Sequence, residues 1–246
     1  MLTQRTELHL LGQVRLSPGA PHVKGVKARA LLVALMLRAN SGVSLDTLTE
    51  SLWDGEPPRS AVANIRTQVS TLRRALGTKA TLVGVPGGYR LVVAADLCDH
   101  LRFLDEVAAG RAALADSDLP RAIKPLSAAL SLWDGDRAAI GVPRYGPLDG
   151  WLNHLDEERM RAVEDLADAY IRLGEPRAAL RDLADLLAVS PLRGRSWELR
   201  MRAHHRLGEL GEVSGTYQAA VAAYHRELGI APDGQLSTLH RVLLRG

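Results

Sequence analysis

The stretch that decides the fold is SAVANIRTQVSTLRRALGTKATLVGVPGGYRL, residues 60–91. Its first half predicts an amphipathic helix, because apolar residues recur at the three- and four-residue spacing of one helix face. Ser60 is the predicted N-cap, and Gly77 is the residue expected to end the helix. The predicted apolar face consists of Ala61, Ile65, Val69, Leu72 and Leu76.

The second half of this stretch predicts a β-hairpin. Residues 81–83 and 89–93 are rich in β-branched and aromatic side chains, and Val-Pro-Gly-Gly at 85–88 separates them. A helix followed by a hairpin is the arrangement of a recognition helix and wing in a winged helix-turn-helix. A solvated basic helix beside an ordinary hairpin is the alternative.

The face of the helix opposite the apolar stripe is free of acidic residues. No Asp or Glu occurs from Arg59 to Leu91, and the face centre holds Ala63, Thr67, Ser70 and Arg74. Hydroxyl, amide and guanidinium groups can bond to phosphates and base edges, and nothing on this face repels a polyanion. The pattern favours contact with nucleic acid.

Charge is divided unevenly along the chain. Residues 1–95 carry 12 Lys and Arg against 5 Asp and Glu, a net charge of +7, whereas residues 96–246 carry 19 against 23, a net charge of −4. This charge division predicts that the basic part binds a polyanion and that the acidic part binds protein. Aromatic residues make up only 4% of the chain, which disfavours stacking platforms for single strands.

Several other classes of function lack their sequence signatures. Cys98 is the single cysteine, so a disulfide framework and a cysteine-rich zinc site are excluded. His204 and His205 point about 100° apart on a helix and make a poor metal site. No phosphate-binding loop, nucleophile motif, signal peptide or membrane-spanning run is found. We therefore expect no enzyme, cofactor or metal, and a cytoplasmic, nucleoid-associated location.

The rest of residues 1–95 completes a small α+β domain. Alternating apolar residues at 8–16, followed by a turn signal at 17–19, predict a short antiparallel sheet. An apolar helix is expected at 27–37, and Ser44 is expected to cap a second helix that ends at Trp53, a large core anchor. These elements and the hairpin define a predicted winged helix-turn-helix DNA-binding domain at 1–95.

Residues 96–246 predict an all-α domain. The motif Leu-Gly-Glu occurs at 173–175 and again at 207–209, a period of 34 residues, which is the length of a tetratricopeptide helix pair. The predicted fold is therefore mainly α, a winged helix followed by a tetratricopeptide-like repeat domain. Helices are expected at 99–115, 119–133, 147–173, 176–189, 192–207, 209–228 and 235–244.

Seven segments together resemble the SARP family, the Streptomyces antibiotic regulatory proteins. In chain order they are LGQVRL, KARALLVALMLRANSGVSLDTLTESLWDGEPP, SAVANIRTQVSTLRRALG, GYRL, LSLWDG, ELGIAP and LSTLHRVLL. Members of this family join an OmpR-type winged helix to a bacterial transcriptional activation domain, here 1–95 and 96–246. The resemblance covers nearly the whole chain, and it depends on the order and spacing of these seven segments.

The resemblance implies an activator of a secondary-metabolite (antibiotic) gene cluster. Family members bind promoter direct repeats as two protomers side by side, head to tail, and recruit RNA polymerase holoenzyme through its sigma factor and other subunits. No membrane partner is implied. Of the implied DNA contacts, Arg66 and Gln68 suit base edges and Arg73 and Arg74 suit phosphates. The implied DNA-binding residues are Asn64, Arg66, Thr67, Gln68, Thr71, Arg73, Arg74 and, on the wing, Arg90.

The wing departs from the family pattern. Val85 stands where an arginine is usual, which leaves Arg90 or Lys79 to reach the DNA backbone. Two alternative functions also stay open. One is a helical-repeat adaptor whose basic domain binds an acidic protein; the other is a metabolite-responsive regulator.

Overall fold

The computed structural model describes residues 8–16, 23–78 and 80–245. The predicted turn at 17–19 and Lys79 lie outside the described residues. Contacts divide the chain into two compact units. The first runs up to Asp105 and includes Ser131–Glu158, and the second comprises Glu106–Leu130 and the chain from Arg159 onward.

The first unit contains a winged helix-turn-helix. Strands β1 and β2 pair antiparallel, and β3, β5 and β4 form a three-stranded sheet in that order. This arrangement confirms the predicted sheet, three helices and hairpin. The elements are β1 (Leu8–His9), β2 (Arg15–Leu16), α1 (Val26–Leu37), β3 (Val43–Ser44), α2 (Leu45–Leu52), α3 (Ala61–Leu76), β4 (Ala80–Val85) and β5 (Gly88–Val93).

Helix α1 is the centre of this unit and packs against α2, α3 and β5. Its apolar residues are buried on nearly every side, which suits a central helix. Helix α3 packs most of the predicted stripe against it: Ala61, Ile65, Val69 and Leu72 are buried, whereas Leu76 is half-buried. Full burial of Ile65 or Leu72 is worth about 1.5–3 kcal/mol relative to exposure.

The structure confirms the predicted role of Ser44 and corrects those of Ser60 and Trp53. Ser44 caps α2 as predicted, since its Oγ accepts a 3.1 Å hydrogen bond from the Thr47 N–H. Ser60 occupies the N-cap position of α3 but makes no capping bond; its Oγ lies 3.3 Å from the side-chain amide of Asn64. Trp53 is half-buried rather than a core anchor, and the Lys27 ammonium lies 4.5 Å from its ring centroid.

Two glycines form the hairpin for different reasons. Pro86 and Gly87 are the two-residue turn between β4 and β5, and Gly87 has a φ of 72°, which favours glycine. Gly88 pairs with Ser44, and a Cβ on Gly88 would lie 2.0 Å from the Val43 carbonyl oxygen. Gly88 is therefore required by the close approach of β3 to β5.

The first unit also takes in residues beyond the winged helix. It includes a 3₁₀ turn at Ala95–Leu97, the start of α4 (Asp99–Ala115), and a loop that leads into α6 (Gly146–Leu173). The loop is tied to the N-terminal segment, since Asp134 N–H donates to Leu11 O at 2.8 Å and Ile140 N–H donates to Gly12 O at 2.7 Å. The domain boundary at residue 95 stays a prediction.

The second unit consists of helices. The seven predicted helices agree with the structure to within three residues at each end. Two apolar clusters fill the spaces between neighbouring helices, one around Leu183 and Leu199 and the other around Trp197 and Met201. The elements not yet given are α5 (Leu119–Leu130), α7 (Pro176–Val189), α8 (Gly194–Arg206), α9 (Leu210–Leu228) and α10 (Gly234–Arg245).

The 34-residue period has a structural counterpart at the helix ends. Gly174 and Gly208 both have positive φ, 93° and 74°, and each lies in the turn between the two helices of a pair. The next residue makes the same bond in both repeats: Glu175 N–H donates to Tyr170 O at 2.8 Å, and Glu209 N–H to His204 O at 3.0 Å. These equivalent turns confirm the tetratricopeptide-like architecture.

Candidate nucleic-acid interface

The eight predicted contact residues lie on one side of α3 and on the wing. Seven are on α3, a helix of 16 residues that is about 24 Å long. Gln68 is half-buried because it lies about 60° from Ile65 around the helix, beside the apolar stripe. Thr71 is also half-buried. The exposed members are Asn64, Arg66, Thr67, Arg73, Arg74 and Arg90.

The two threonines already use their hydroxyl protons. Thr67 Oγ1 donates to Ala63 O at 3.1 Å, and Thr71 Oγ1 donates to Thr67 O at 3.3 Å. Such bonds to the carbonyl four residues earlier are a common choice for threonine within a helix. Each hydroxyl oxygen keeps its lone pairs, so toward a base these side chains offer an acceptor and a methyl group.

Arg73 connects α3 to the wing. Its Nε–H donates a 2.8 Å hydrogen bond to the carbonyl oxygen of Leu82 on β4. Strand β4 is an edge strand, so carbonyls on its outer side lack a ladder partner. Arg73 satisfies one of them and leaves its other guanidinium N–H groups for a ligand.

Four of the predicted side chains are uncommitted. Within the ranges that the structure describes, Arg66, Gln68, Arg74 and Arg90 form neither a hydrogen bond nor an ion pair. Arg74 lies opposite Ile65, at the centre of the exposed face. An exposed guanidinium with five unused donors is suited to bidentate contact with phosphate or guanine.

The wing carries its charge along its side rather than at its tip. Arg90 is paired with Val83 in the register of β4 and β5, and its side chain is exposed while neighbouring Leu91 is buried. The tip consists of Val85, Pro86 and Gly87, which bear no charge. Arg90 can therefore approach a phosphate backbone alongside the hairpin.

Two further exposed residues adjoin the eight predicted contacts. Ser70 lies on the same face as Thr67 and Arg74, one turn from each, and is exposed. Arg59 precedes the N-terminus of α3 and is exposed as well. Helical spacing identifies Ser70, and the lack of acidic neighbours from residue 59 onward identifies Arg59.

Among the described residues, no group of three or more His, Cys, Asp or Glu side chains is arranged to hold a metal ion. No helix in the described part of the chain is both long and apolar enough to cross a membrane.

Two protein-family models match this chain, one in each of its two parts. The family model for the bacterial transcriptional activator domain matches residues 98–244, more than half of the chain. The model for the C-terminal domain of transcriptional regulatory proteins matches residues 21–91, which contain α1, α2, α3 and most of the wing.

Similar proteins include regulators from two bacterial genera. Regulatory protein AfsR of Streptomyces griseus is 34% identical over 95% of this chain and 23% of its own length. Transcriptional regulatory protein EmbR of Mycobacterium tuberculosis is 30% identical over 98% of this chain and 64% of its own. Transcriptional regulator RedD of Streptomyces coelicolor is 32% identical over 97% of this chain and 70% of its own. The chain thus spans less than two thirds of AfsR and of EmbR.

A solved structure has the same fold. Mycobacterium tuberculosis EmbR, in complex with a low affinity phosphopeptide, superposes with a TM-score of 0.87 and 28% identity, over 97% of this chain and 65% of that one. The two matching family models occur in the order expected for an OmpR-type winged helix joined to an activator domain. The chain belongs to the SARP family of transcriptional regulators.

Proposed function

We propose that this chain is a transcriptional activator that binds double-stranded promoter DNA in a sequence-specific manner through α3 and the wing. The observation that carries the proposal is the exposed face of α3, which has no acidic residue and presents uncommitted arginines. A helix of this width fits the major groove of B-DNA.

Different side chains are assigned different parts of the DNA. We assign base-edge contacts to Arg66 and Asn64, which lie on opposite flanks of the exposed face, and to Gln68 at its edge. Arg74 and Arg90 are placed against phosphates, which fix position but carry no sequence information. Thr67 and Thr71 have no free hydroxyl proton, so they accept from a base amino group or pack against a thymine methyl group.

Arg73 has two roles in this proposal. Its Nε–H holds β4 against α3, and its remaining N–H groups bond to a phosphate. The apolar tip at Val85 and Pro86 leaves the wing to contact the DNA backbone through Arg90 rather than to insert an arginine into the minor groove.

The wider role follows from family membership. We place two protomers side by side, head to tail, on direct repeats in the promoter of a secondary-metabolite gene cluster. Residues 96–246 then recruit RNA polymerase holoenzyme through its sigma factor and other subunits. We expect no catalytic step and no cofactor.

The test is fluorescence anisotropy of the purified chain with duplexes from the promoters beside its gene. We expect one fragment to be bound in the presence of scrambled competitor, and binding to be lost when one of its direct repeats is scrambled. The logarithm of affinity should fall with the logarithm of salt concentration, with a slope of about −0.9 per neutralised phosphate.

Matched variants identify the face that binds. Arg74→Ala should weaken binding to every duplex and make the salt slope shallower by about one contact. Arg177→Ala, an exposed arginine on α7, is the control and should change neither quantity. Equal binding to all duplexes, unaffected by Arg74→Ala, would refute the proposal and favour the adaptor alternative.

A further inference from the structure

The side chain of Lys27 connects three segments of the first unit. Its ammonium extends from the first turn of α1 and donates a hydrogen bond to the carbonyl oxygen of Leu52, the last residue of α2. The same Nζ lies 4.5 Å from the ring centroid of Trp53 and 5.9 Å from that of Tyr145, both within the range of a cation–π contact. One side chain thus joins α1 and the end of α2 to the residue that precedes α6.

The charge of Lys27 suits α2 rather than its own helix. A cation in the first turn of a helix is unfavourable for that helix, whereas a cation near the last carbonyls, which have no partner within the helix, is stabilising. Helix α2 has no basic residue in its own last turn, so Lys27 supplies the cation from α1. Within the described ranges Lys27 forms no ion pair, and its charge faces a carbonyl and two rings instead of a carboxylate.

The segment before α6 also touches α2 through its backbone. Gly146, the first residue of α6, has a φ of 46°, and a Cβ there would lie 2.8 Å from the carbonyl oxygen of Glu50 on α2. The two backbones are therefore in direct contact at this point. The segment holds α2 at two neighbouring carbonyls, that of Glu50 directly and that of Leu52 through Lys27.

This contact joins the ranges of the two family models. Tyr145 and Gly146 lie in the range 98–244 that the activator-domain model matches, whereas Lys27 and α2 lie in the range 21–91. All of these residues belong to the first compact unit. The start of α6 is thus packed on the helix-turn-helix, although the family models assign it to the other domain.

The contact lies at the beginning of the turn that leads to α3. Trp53 follows α2 directly, and residues 54–60 connect it to Ala61, the first residue of α3. Every residue from 54 to 60 is exposed, so this turn is not held by burial. Pro57 and Pro58 restrict its backbone. The position of Trp53 therefore influences where α3 begins.

We propose that Lys27 is a positioning residue for sequence-specific DNA recognition, through which the start of α6 and the α2–α3 turn hold each other in place. This inference rests on the proposed function, because it requires that α3 reads promoter DNA. Specific binding needs α3 in one position against base edges, whereas non-specific binding needs only charge. Loss of the contact therefore lowers discrimination between duplexes. Because coupling is reciprocal, a specific duplex also tightens the segment around Tyr145.

Discrimination is measured with the full chain by anisotropy on the specific and the scrambled duplex. Lys27→Met keeps the apolar stem and removes the ammonium. It should weaken binding to the specific duplex at least about fivefold, the low end of coupling between sites, and to the scrambled duplex by less than about twofold. Lys24→Met removes the same charge from an exposed position just before α1 and should leave the ratio of the two affinities unchanged. Equal ratios for wild type and Lys27→Met overturn the proposal.

Variants of Tyr145 repeat the comparison with Lys27 intact, and they decide the question if Lys27→Met does not fold. Tyr145→Phe keeps the ring beside the ammonium and should discriminate as the wild type does. Tyr145→Ala removes the ring, leaves the bond from Lys27 to Leu52 O in place, and should lower the ratio of the two affinities. A contact that serves stability alone predicts a lower thermal unfolding temperature for Tyr145→Ala with an unchanged ratio. That result contradicts the proposal.

Hydrogen–deuterium exchange measures the reciprocal effect. The N–H groups of Leu148 and Asp149 donate to Tyr145 O at 3.0 and 3.4 Å, and neither residue belongs to the proposed DNA interface. A saturating specific duplex should slow exchange of these amides in the wild type, and a scrambled duplex should not. In Lys27→Met the specific duplex should lose this effect. Identical exchange with both duplexes in the wild type overturns the coupling.

The outcomes separate this inference from the proposed function. Specific duplex binding by the wild type, with an unchanged ratio in Lys27→Met, overturns only the role of Lys27. Equal binding of the wild type to all duplexes overturns the DNA-binding proposal and, with it, this inference.

Discussion

Oδ2 of Asp99 accepts a 2.8 Å hydrogen bond from the backbone N–H of Leu10. The same carboxylate accepts from Leu11 N–H at 3.0 Å and from His100 N–H at 2.7 Å. The group is buried, and burial raises the pKa of Asp99 while the three N–H donors act in the opposite direction. One side chain at the start of α4 thus holds the end of β1, 89 residues earlier in the chain.

Replacement of Asp99 should destabilise the first unit. Asp99→Ala leaves three backbone N–H groups without their acceptor, and each buried unsatisfied group costs about 1–3 kcal/mol. We expect the free energy of unfolding to fall by roughly 3 kcal/mol, measured by urea denaturation. Asp99→Asn keeps one acceptor oxygen and should lose less. Equal stability of the two variants would contradict this role.

The same contact predicts the behaviour of a fragment that ends at residue 95. This fragment contains the whole winged helix but lacks Asp99 and the loop that bonds to Leu11 and Gly12. We expect it to have a lower thermal midpoint than a chain that continues through residue 158. Circular dichroism melting measures both. Identical midpoints would support residue 95 as an independent domain boundary.

Adjacent arginines on α3 should give different DNA-binding defects. Arg74→Ala removes an exposed guanidinium that forms no hydrogen bond or ion pair within the described chain, so affinity should fall equally on specific and scrambled duplexes. Arg73→Ala also releases β4 by removing the bond to Leu82 O. It should therefore lose more affinity on the specific duplex than on the scrambled one. Anisotropy on both duplexes distinguishes them, and parallel losses would exclude the positioning role of Arg73.

Two glycines in the hairpin provide a matched stability test. Gly88→Ala places a Cβ 2.0 Å from the Val43 carbonyl oxygen, so β3 must separate from β5. We expect a loss of at least about 2 kcal/mol in the free energy of unfolding. Gly84→Ala adds the same methyl group to β4 where no atom lies within 4 Å. It should change stability by less than about 0.5 kcal/mol, and a similar cost in both would contradict the close-approach argument.

Stability should fall in mild acid because of His100. Burial lowers the pKa of this imidazole from 6.5 to about 4, and its Nε2 lies 3.0 Å from Met36 O. Between these two pH values the unfolded chain binds a proton that the folded chain does not. The free energy of unfolding should therefore decrease from pH 7 to pH 4, by on the order of 3 kcal/mol from this group.

His100→Gln isolates this contribution, because glutamine keeps a donor for Met36 O but does not titrate. The raised pKa of Asp99 acts with the opposite sign, and it is present in both proteins. Urea denaturation at a series of pH values should give a shallower acid slope for the variant. Parallel slopes would exclude His100 as the titrating group.

Much of the fold could be predicted from local patterns. The apolar stripe of α3, the two-residue turn at Pro86 and Gly87, and the 34-residue repeat each depend on neighbours in sequence. Trp53 was assigned incorrectly because hydrophobicity alone does not reveal that Lys27 will lie over its ring. Ser60 was placed correctly but given the wrong bond, since Asn64 competes for its hydroxyl.

The exposed face of α3 was predictable in the same way. Helical spacing placed Arg66, Thr67 and Arg74 on a surface without acidic residues, and the structure has all three exposed. Helical spacing gave no sign that Arg73 would bond to Leu82 O, nor that the threonine hydroxyls would donate to their own helix. Their role in DNA binding stays a prediction.

By itself, then, the sequence determined the elements, their order, the repeat and the face of α3, because periodicity and turn chemistry are set by residues a few positions apart. Only the tertiary structure decided which distant residues share a compact unit. Asp99 bonds to Leu10, Asp134 bonds to Leu11, and the Lys27 ammonium lies 4.5 Å from the ring centroid of Trp53. These relationships depend on hydrogen bonds and charges brought together by packing, and no local pattern records them.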